Sequence, residues 1–127
     1  MDELIKIMDN PDFKKYWVPN YEIGHIERHL SENVRIDYVK TKKVAVISSR
    51  DMYMVLMKKF IQPEKSPTGK KLVVIAGKSC DLPCFPEHSG VVRAVNYMSG
   101  YYIEELGPSE VKLTFVVESD FKISMFI

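Results

Sequence analysis

The residues that could form a metal or thiol-based catalytic site lie in one short segment. Cys80, Cys84 and His88 supply two thiols and an imidazole in the spacing C-x3-C-x3-H. A structural zinc site normally uses four protein ligands, and this segment offers only three residues of the kinds that bind zinc. Asp81 would complete a triad with Cys84 and His88, but no motif around them orients a nucleophile. We therefore expect no metal, no cofactor and no catalytic site here.

A second pair of candidate metal ligands is formed by His25 and His29. On a helix, residues four apart share a face and could bind one metal ion. The surrounding segment has the pattern of a β-strand, in which the two imidazoles would lie roughly 13 Å apart. We therefore expect two separate surface histidines.

Two charged residues within strand-like runs are candidates for ligand binding. Asp37 could accept a hydrogen bond from a ligand hydroxyl, or it could be solvated beside Arg35 and Lys40. Arg93 would suit an anionic or carbonyl group if its face lines a cavity. If its face is outside, it is a cross-strand ion-pair partner. The sequence leaves both alternatives open.

The overall composition argues for one soluble globular domain spanning residues 1–127. Hydrophobic residues make up 46% of the chain and charged residues 28%, and the formal net charge is +1. The basic residues occur at most in pairs, which favours no nucleic-acid partner. Two cysteines are too few for a disulfide scaffold, and no apolar run is long enough for a membrane span. The amino terminus lacks a signal-peptide pattern, so we expect a cytoplasmic location.

The elements that must position these residues are two short helices followed by strands. Asp2 is predicted to cap a helix that runs through Met8. Asn10-Pro11 is predicted to start a second helix that ends before Pro19. The strand-like runs are 21–30, 34–40, 44–48, 52–61, 72–76, 91–98, 101–106 and 111–118. Consecutive strands joined by short turns indicate an antiparallel sheet, and therefore an α+β protein.

Four segments, in this order, resemble the signatures of the START domain, the steroidogenic-acute-regulatory-related lipid-transfer family. They are Trp17-Val18-Pro19-Asn20, Ser49-Arg50-Asp51-Met52, Gly90–Ala94 followed by Ser99-Gly100-Tyr101, and Val111–Thr114 running into Glu118-Ser119-Asp120. The resemblance covers residues 10–120. It implies a helix-grip fold, in which a curved antiparallel sheet wraps around a long C-terminal helix and encloses an apolar tunnel.

The resemblance also implies a function. A START domain binds one lipid, such as a sterol, phospholipid or ceramide, and transfers it between membranes through transient membrane contact, without catalysis. Compared with the family, the chain is expected to lack the opening helix and first strands, and it stops where the closing helix should begin. An open apolar face and exposed sheet edges would then favour a homodimer.

One departure concerns the acid and arginine that face the tunnel in sterol-binding relatives. By spacing from Arg50-Asp51, Asp37 falls near the position of the acid and Leu56 at that of the arginine. A buried carboxylate without a partner is costly. Asp37 is therefore expected to face water, or to be paired by a ligand or by another residue.

The expected lipid-binding residues follow from strand parity and from this resemblance. They are Asp37, Met54, Leu56, Arg93, Tyr97, Tyr101 and Phe115. Two other functions remain open. One is an enzyme of the wider helix-grip superfamily, such as a cyclase or hydrolase, in which Asp37 pairs with His25 or Tyr97 as acid and base. The other is a non-catalytic module that docks another protein.

Overall fold

The computed structural model describes residues 1–123 and begins with two short helical segments. Helix α1 spans Asp2–Asp9, and its N-cap is Met1, whose carbonyl accepts the Ile5 N–H at 3.1 Å. Asp2 is thus the first helical residue, and the prediction that it caps the helix was wrong. A 3-10 helix follows over Pro11–Tyr16. Its predicted cap is confirmed, because Asn10 Oδ1 accepts the Asp12 N–H at 2.9 Å.

Within residues 1–123, seven strands form one sheet behind these segments. They are β1 Tyr21–Ser31, β2 Val34–Thr41, β3 Arg50–Ile61, β4 Leu72–Ser79, β5 Val92–Arg93, β6 Val95–Gly107 and β7 Glu110–Asp120. The order across the sheet is β1-β2-β3-β4-β6-β7, with every neighbouring pair antiparallel, and the two-residue β5 pairs in parallel with β3. The expected α+β class with an antiparallel sheet is confirmed.

The structure departs from the predicted strands in two places. Residues 44–48 form a tight turn in which Val44 and Ile47 exchange backbone hydrogen bonds of 3.0 and 2.9 Å, with Ala45 at φ 52°. The predicted strand 91–98 is interrupted at Ala94, whose N–H donates to the Asp51 carbonyl at 2.9 Å. Beyond this break β6 runs without interruption through residues 101–106.

The strands alternate their side chains between two faces of the sheet. Asp37 lies opposite Met54 in the β2–β3 register, and the next pair, Tyr38 and Tyr53, points the other way. We call the face of Asp37 and Met54 the inner face and the face of Tyr38 and Tyr53 the outer face.

Each face carries its own hydrophobic core. Ile5 and Met8 of α1 pack on the inner face against Val73, Ile75 and Ile103. On the outer face Phe85, from the loop after β4, packs against Ile36, Tyr38 and Tyr53. Burial of each such side chain contributes roughly 1.5–3 kcal/mol. The helix and the loop are therefore held on opposite sides of the sheet.

No helix within residues 1–123 combines the length and the apolar character needed to cross a membrane.

Candidate lipid-binding cavity

The inner face carries a cavity between the sheet and the helical segments, with a volume of about 190 Å³. Its lining is largely apolar, and the polar residues gather at the β2 side and near the start of β6. The main apolar side chains are Trp17, Val39, Met52, Met54, Leu56, Tyr101, Phe115 and Val117. Ile75 belongs both to the cavity wall and to the core beneath α1. The cavity is thus continuous with the packed part of the inner face.

Five of the seven predicted ligand residues line this cavity. Asp37 comes from β2, Met54 and Leu56 from β3, Tyr101 from β6 and Phe115 from β7. Tyr101 and Phe115 are opposite in the β6–β7 register, and their rings stack with centroids 4.8 Å apart. Burial raises the pKa of Tyr101 to about 12, so its hydroxyl is neutral at physiological pH. The sheet therefore brings residues from four strands to one apolar surface.

Tyr97 does not reach the cavity. The β6–β7 register shifts between Asn96 and Met98, and this irregularity reverses the alternation of β6 at that point. Asn96 lines the cavity, whereas Tyr97 is 56% exposed and borders a shallow depression with Val55 and Met57 on the outer face.

Arg93 also lies away from the cavity, on the outer face, where it holds the loop after β4 against the sheet. Its Nε donates to Asp51 Oδ1 at 2.7 Å, and its two terminal nitrogens donate to the Phe85 and Pro86 carbonyls, each at 2.9 Å. The guanidinium carbon sits 5.0 Å from the Tyr53 ring centroid. All three guanidinium nitrogens are thus engaged within the protein. The open hollow beside Arg93 measures about 760 Å³.

The Arg50-Asp51 segment forms a second part of this structural network. Asp51 Oδ2 accepts the Tyr38 hydroxyl at 2.9 Å while Oδ1 accepts Arg93. Burial, and then the hydrogen bond to Asp51, raises the pKa of Tyr38. Arg50 donates to the Ser48 carbonyl at 2.7 Å and to the Phe121 carbonyl at 2.8 Å. The contacts of Arg50 and Asp51 therefore hold the neighbouring loops and the segment after β7 against the rest of the sheet.

A charged cluster closes the β2 side of the cavity. It consists of Asp9, Lys14, Arg35, Asp37 and Lys58. Asp37, only 4% exposed, receives Arg35 Nε at 2.7 Å and Nη2 at 3.0 Å. Arg35 Nη1 lies 3.1 Å from Asp9 Oδ1, and Lys58 Nζ lies 2.6 Å from Asp9 Oδ2. Of the alternatives for Asp37, the structure therefore shows pairing by another residue.

Sequence reasoning did not identify Arg35 as the partner of Asp37, although strand parity indicated it. Residues two apart on a strand share a face, and Arg35 lies opposite Leu56 in the β2–β3 register. Lys14 and Asp9 come from the helical segments, whose docking position is not encoded by strand parity. Lys14 Nζ is 3.7 Å from Asp37 Oδ2, and burial lowers the pKa of Lys14 more than the nearby carboxylates raise it.

Two buried polar atoms of residues that line the cavity have no hydrogen-bond partner within residues 1–123. They are Trp17 Nε1, a donor, and Asn96 Oδ1, an acceptor. The Asn96 side-chain nitrogen is satisfied by Ser119 Oγ at 3.0 Å. Buried polar atoms are nearly always paired, so these two atoms are open to a partner such as a water molecule or a ligand group.

The candidate acid–base pair of an enzyme is not assembled. His25 lies opposite Tyr38 in the register, its ring centroid is 5.3 Å from that of Tyr38, and its Nε2 contacts Glu27 at 2.7 Å. His25 therefore lies on the outer face of the sheet, whereas Asp37 lies on the inner face. Within the described part of the chain, no three His, Cys, Asp or Glu side chains form a group that could hold a metal ion.

Comparisons with known proteins agree with this geometry. The START domain model matches residues 1–125. Human STARD10 superposes with a TM-score of 0.85 at 21% identity, over 98% of this chain and 47% of that chain. Human StAR-related lipid transfer protein 5 superposes with a TM-score of 0.73 at 20% identity, over 86% of this chain and 50% of that chain. The human StarD13 (DLC2) lipid transfer and protein localization domain superposes with a TM-score of 0.75 at 21% identity, over 95% of this chain and 56% of that chain.

These structural likenesses concern the fold, and the chain spans about half the length of the solved structures it matches. No curated protein sequence matches it. The family model, by contrast, covers nearly all of the chain, and all four resembling segments lie within its match. This chain therefore belongs to the START domain family.

Proposed function

We propose that this chain binds one lipid in the inner-face cavity and carries it between membranes without chemical change. The observation that carries the proposal is the meeting of Met54, Leu56, Tyr101 and Phe115 at one apolar surface beside a polar cluster. Ligand sites for small molecules combine a mostly apolar wall with a few placed polar groups. Methionines in the wall adapt to a flexible ligand. Sterols, phospholipids, ceramides and single-chain amphiphiles all combine an apolar body with a polar group, which is the chemistry that this wall would recognise.

Delivery of the lipid requires transient contact with a membrane, and the cavity has a suitable rim. Phe115, Val117 and Phe121 line the cavity while remaining 51%, 51% and 42% exposed. Exposed apolar side chains that adjoin a ligand cavity are typical of interaction surfaces. We propose that this rim contacts the bilayer when lipid enters or leaves.

A lipid-transfer assay with a matched pair of variants tests the function. Met54→Trp fills the cavity, whereas Met98→Trp makes the same change at an outer-face position that is 54% exposed. Transfer of a fluorescent sterol, phosphatidylcholine and ceramide from donor to acceptor vesicles is followed for both. We expect transfer by the native chain and by Met98→Trp, and loss with Met54→Trp at unchanged circular dichroism. Equal transfer by both variants would place the lipid elsewhere.

A further inference from the structure

The polar end of the cavity presents two adjacent hydrogen-bond donors, Lys14 Nζ and Trp17 Nε1. The Trp17 backbone N–H donates to the Lys14 carbonyl at 3.2 Å, which closes a 3-10 turn between the two residues. Side chains three apart in 3-10 geometry lie above one another on the same side. Both residues line the cavity. The turn therefore places the Lys14 and Trp17 side chains beside one another at the wall of the same cavity.

Of these two donors, Trp17 Nε1 has no acceptor among the described residues, and Lys14 Nζ has one long ion pair. Trp17 Nε1 is buried without an acceptor in residues 1–123. The ammonium of Lys14 is 3.7 Å from Asp37 Oδ2, longer than a hydrogen bond, and that oxygen already accepts Arg35 Nη2. The Lys14 side chain is 20% exposed, and its ammonium keeps donor capacity beyond this one ion pair. Trp17 Nε1 lacks the partner that burial normally requires.

The charges of the cluster point to the sign of the missing partner. Lys14, Arg35 and Lys58 are cationic and Asp9 and Asp37 are anionic, so one positive charge is in excess. Arg35 and Lys58 have short contacts with carboxylates, which leaves Lys14 with the weakest pairing. Burial lowers its pKa despite the neighbouring acids. A hydroxyl could satisfy Trp17, but only an anion would satisfy both donors and balance the charge.

From this arrangement we propose that the lipid enters head first and that its head group is an anionic oxygen, a carboxylate or a phosphate, bound by Lys14 Nζ and Trp17 Nε1. The inference rests on the proposed function and names the ligand class of the same cavity. A cavity of about 190 Å³ is smaller than typical ligand sites, so a single acyl chain suits it better than two. The ligand class is therefore a single-chain anionic amphiphile.

Fluorescence titration tests this class directly, because Trp17 is the single tryptophan of the chain. Oleate, oleyl phosphate and oleyl alcohol share one hydrocarbon chain and differ in the head group. We expect one of the two anions to bind at least about tenfold more tightly than the alcohol, as hydrogen bonds to charged groups suggest. The anion that binds more tightly identifies the head group as a carboxylate or a phosphate. Inorganic phosphate alone, even in excess, should leave the Trp17 emission unchanged.

Two neighbouring lysines provide the matched variants. Lys14→Gln should remove the preference for the anion while binding of oleyl alcohol is retained, and Lys15→Gln, at an exposed position, should leave both unchanged. Trp17→Phe, followed by calorimetry, should weaken binding of the preferred anion severalfold more than binding of the alcohol. Equal affinities for the alcohol and both anions, or an anion preference that survives Lys14→Gln, would overturn the head-group inference alone. Failure of all three single-chain lipids to bind would also overturn the head-group inference, and failure to bind sterols and two-chain lipids as well would overturn the proposed function with it.

Discussion

At the residue scale, the most informative feature is the pairing of Arg35 with Asp37. The resemblance to sterol-binding relatives indicated an acid at Asp37 and placed Leu56 where the arginine should be. The structure supplies the arginine from the same strand as the acid, two residues earlier and opposite Leu56. The position of the acid could be predicted from spacing. Its partner Arg35 was indicated by strand parity, because residues two apart share a face, but the resemblance directed attention to the position of Leu56.

The Arg35–Asp37 pair makes a clear stability prediction. Arg35→Leu leaves Asp37 buried without its main cation, and loss of one partner of a buried pair costs roughly 3–5 kcal/mol. Urea unfolding should show this loss, and Asp37→Asn in the same chain should restore part of it. Arg28→Leu, at an exposed position of β1, is the control and should change stability little. Equal effects of Arg28→Leu and Arg35→Leu would contradict the burial argument.

The buried hydroxyl of Tyr101 predicts a pH effect. Burial raises the pKa of Tyr101 to about 12, whereas an unfolded tyrosine titrates near its ordinary pKa of 10.0. The folded state therefore retains a proton that the unfolded state loses, and stability falls as pH rises from about 10 to about 12. Tyr101→Phe keeps the ring and removes this titration. Its melting temperature should fall less steeply over that range than that of the native chain. Parallel curves for the two chains would contradict the assignment.

At the element scale, the sequence predicted most of the strands but missed the irregularities between them. Alternating and β-branched runs located β1 to β4 and β7 to within a few residues. The break at Ala94 coincides with a hydrogen bond to Asp51, and the register shift near Tyr97 is a feature of the pairing with β7, so a local pattern contains neither. These two features explain why Tyr97 and Arg93 lie apart from the five residues of the cavity.

Close contact between β4 and β6 makes a prediction at Gly100. A Cβ added there would lie 2.6 Å from the Ile75 carbonyl oxygen and 3.1 Å from the Ala76 Cα, and backbone atoms cannot turn aside as a side chain can. Gly100→Ala should destabilise the protein by roughly 1–3 kcal/mol, as overpacking does. Gly107→Ala meets nothing within 4 Å and serves as the control. Chemical unfolding of both variants measures the difference in their free energies of unfolding. Similar unfolding midpoints would contradict the predicted clash and show that β4 and β6 separate easily.

At the scale of the whole molecule, β7 lies at an edge of the sheet, with an apolar inner side and one apolar residue, Val116, on a mostly polar outer side. Leu113, Phe115 and Val117 on the inner face are 42%, 51% and 51% exposed, and Val116 on the outer face is 50% exposed. An exposed apolar edge strand favours pairing with another chain. We therefore expect this chain to associate into a homodimer with increasing concentration.

Substitution of Val116 separates this association from lipid binding, because Val116 does not line the cavity. Val116→Lys should shift the monomer–dimer equilibrium in sedimentation velocity towards monomer while lipid binding is retained. Thr68→Lys adds the same charge in the exposed loop between β3 and β4 and should leave the equilibrium unchanged. A native chain that remains monomeric at all concentrations would contradict the expectation.

The central claim, that the cavity holds one lipid, is tested most directly by paired native and denaturing mass spectrometry of the purified chain. We expect the native spectrum to show a bound species of a few hundred daltons, in a ratio of one to one, that disappears on denaturation. Organic extraction should identify it as a lipid, and it should be absent from Met54→Trp but present in Met98→Trp. A native chain that carries no ligand and takes up none from sterols, phospholipids, ceramides or single-chain anions would contradict the claim. That result would favour a protein-docking role for the same apolar face.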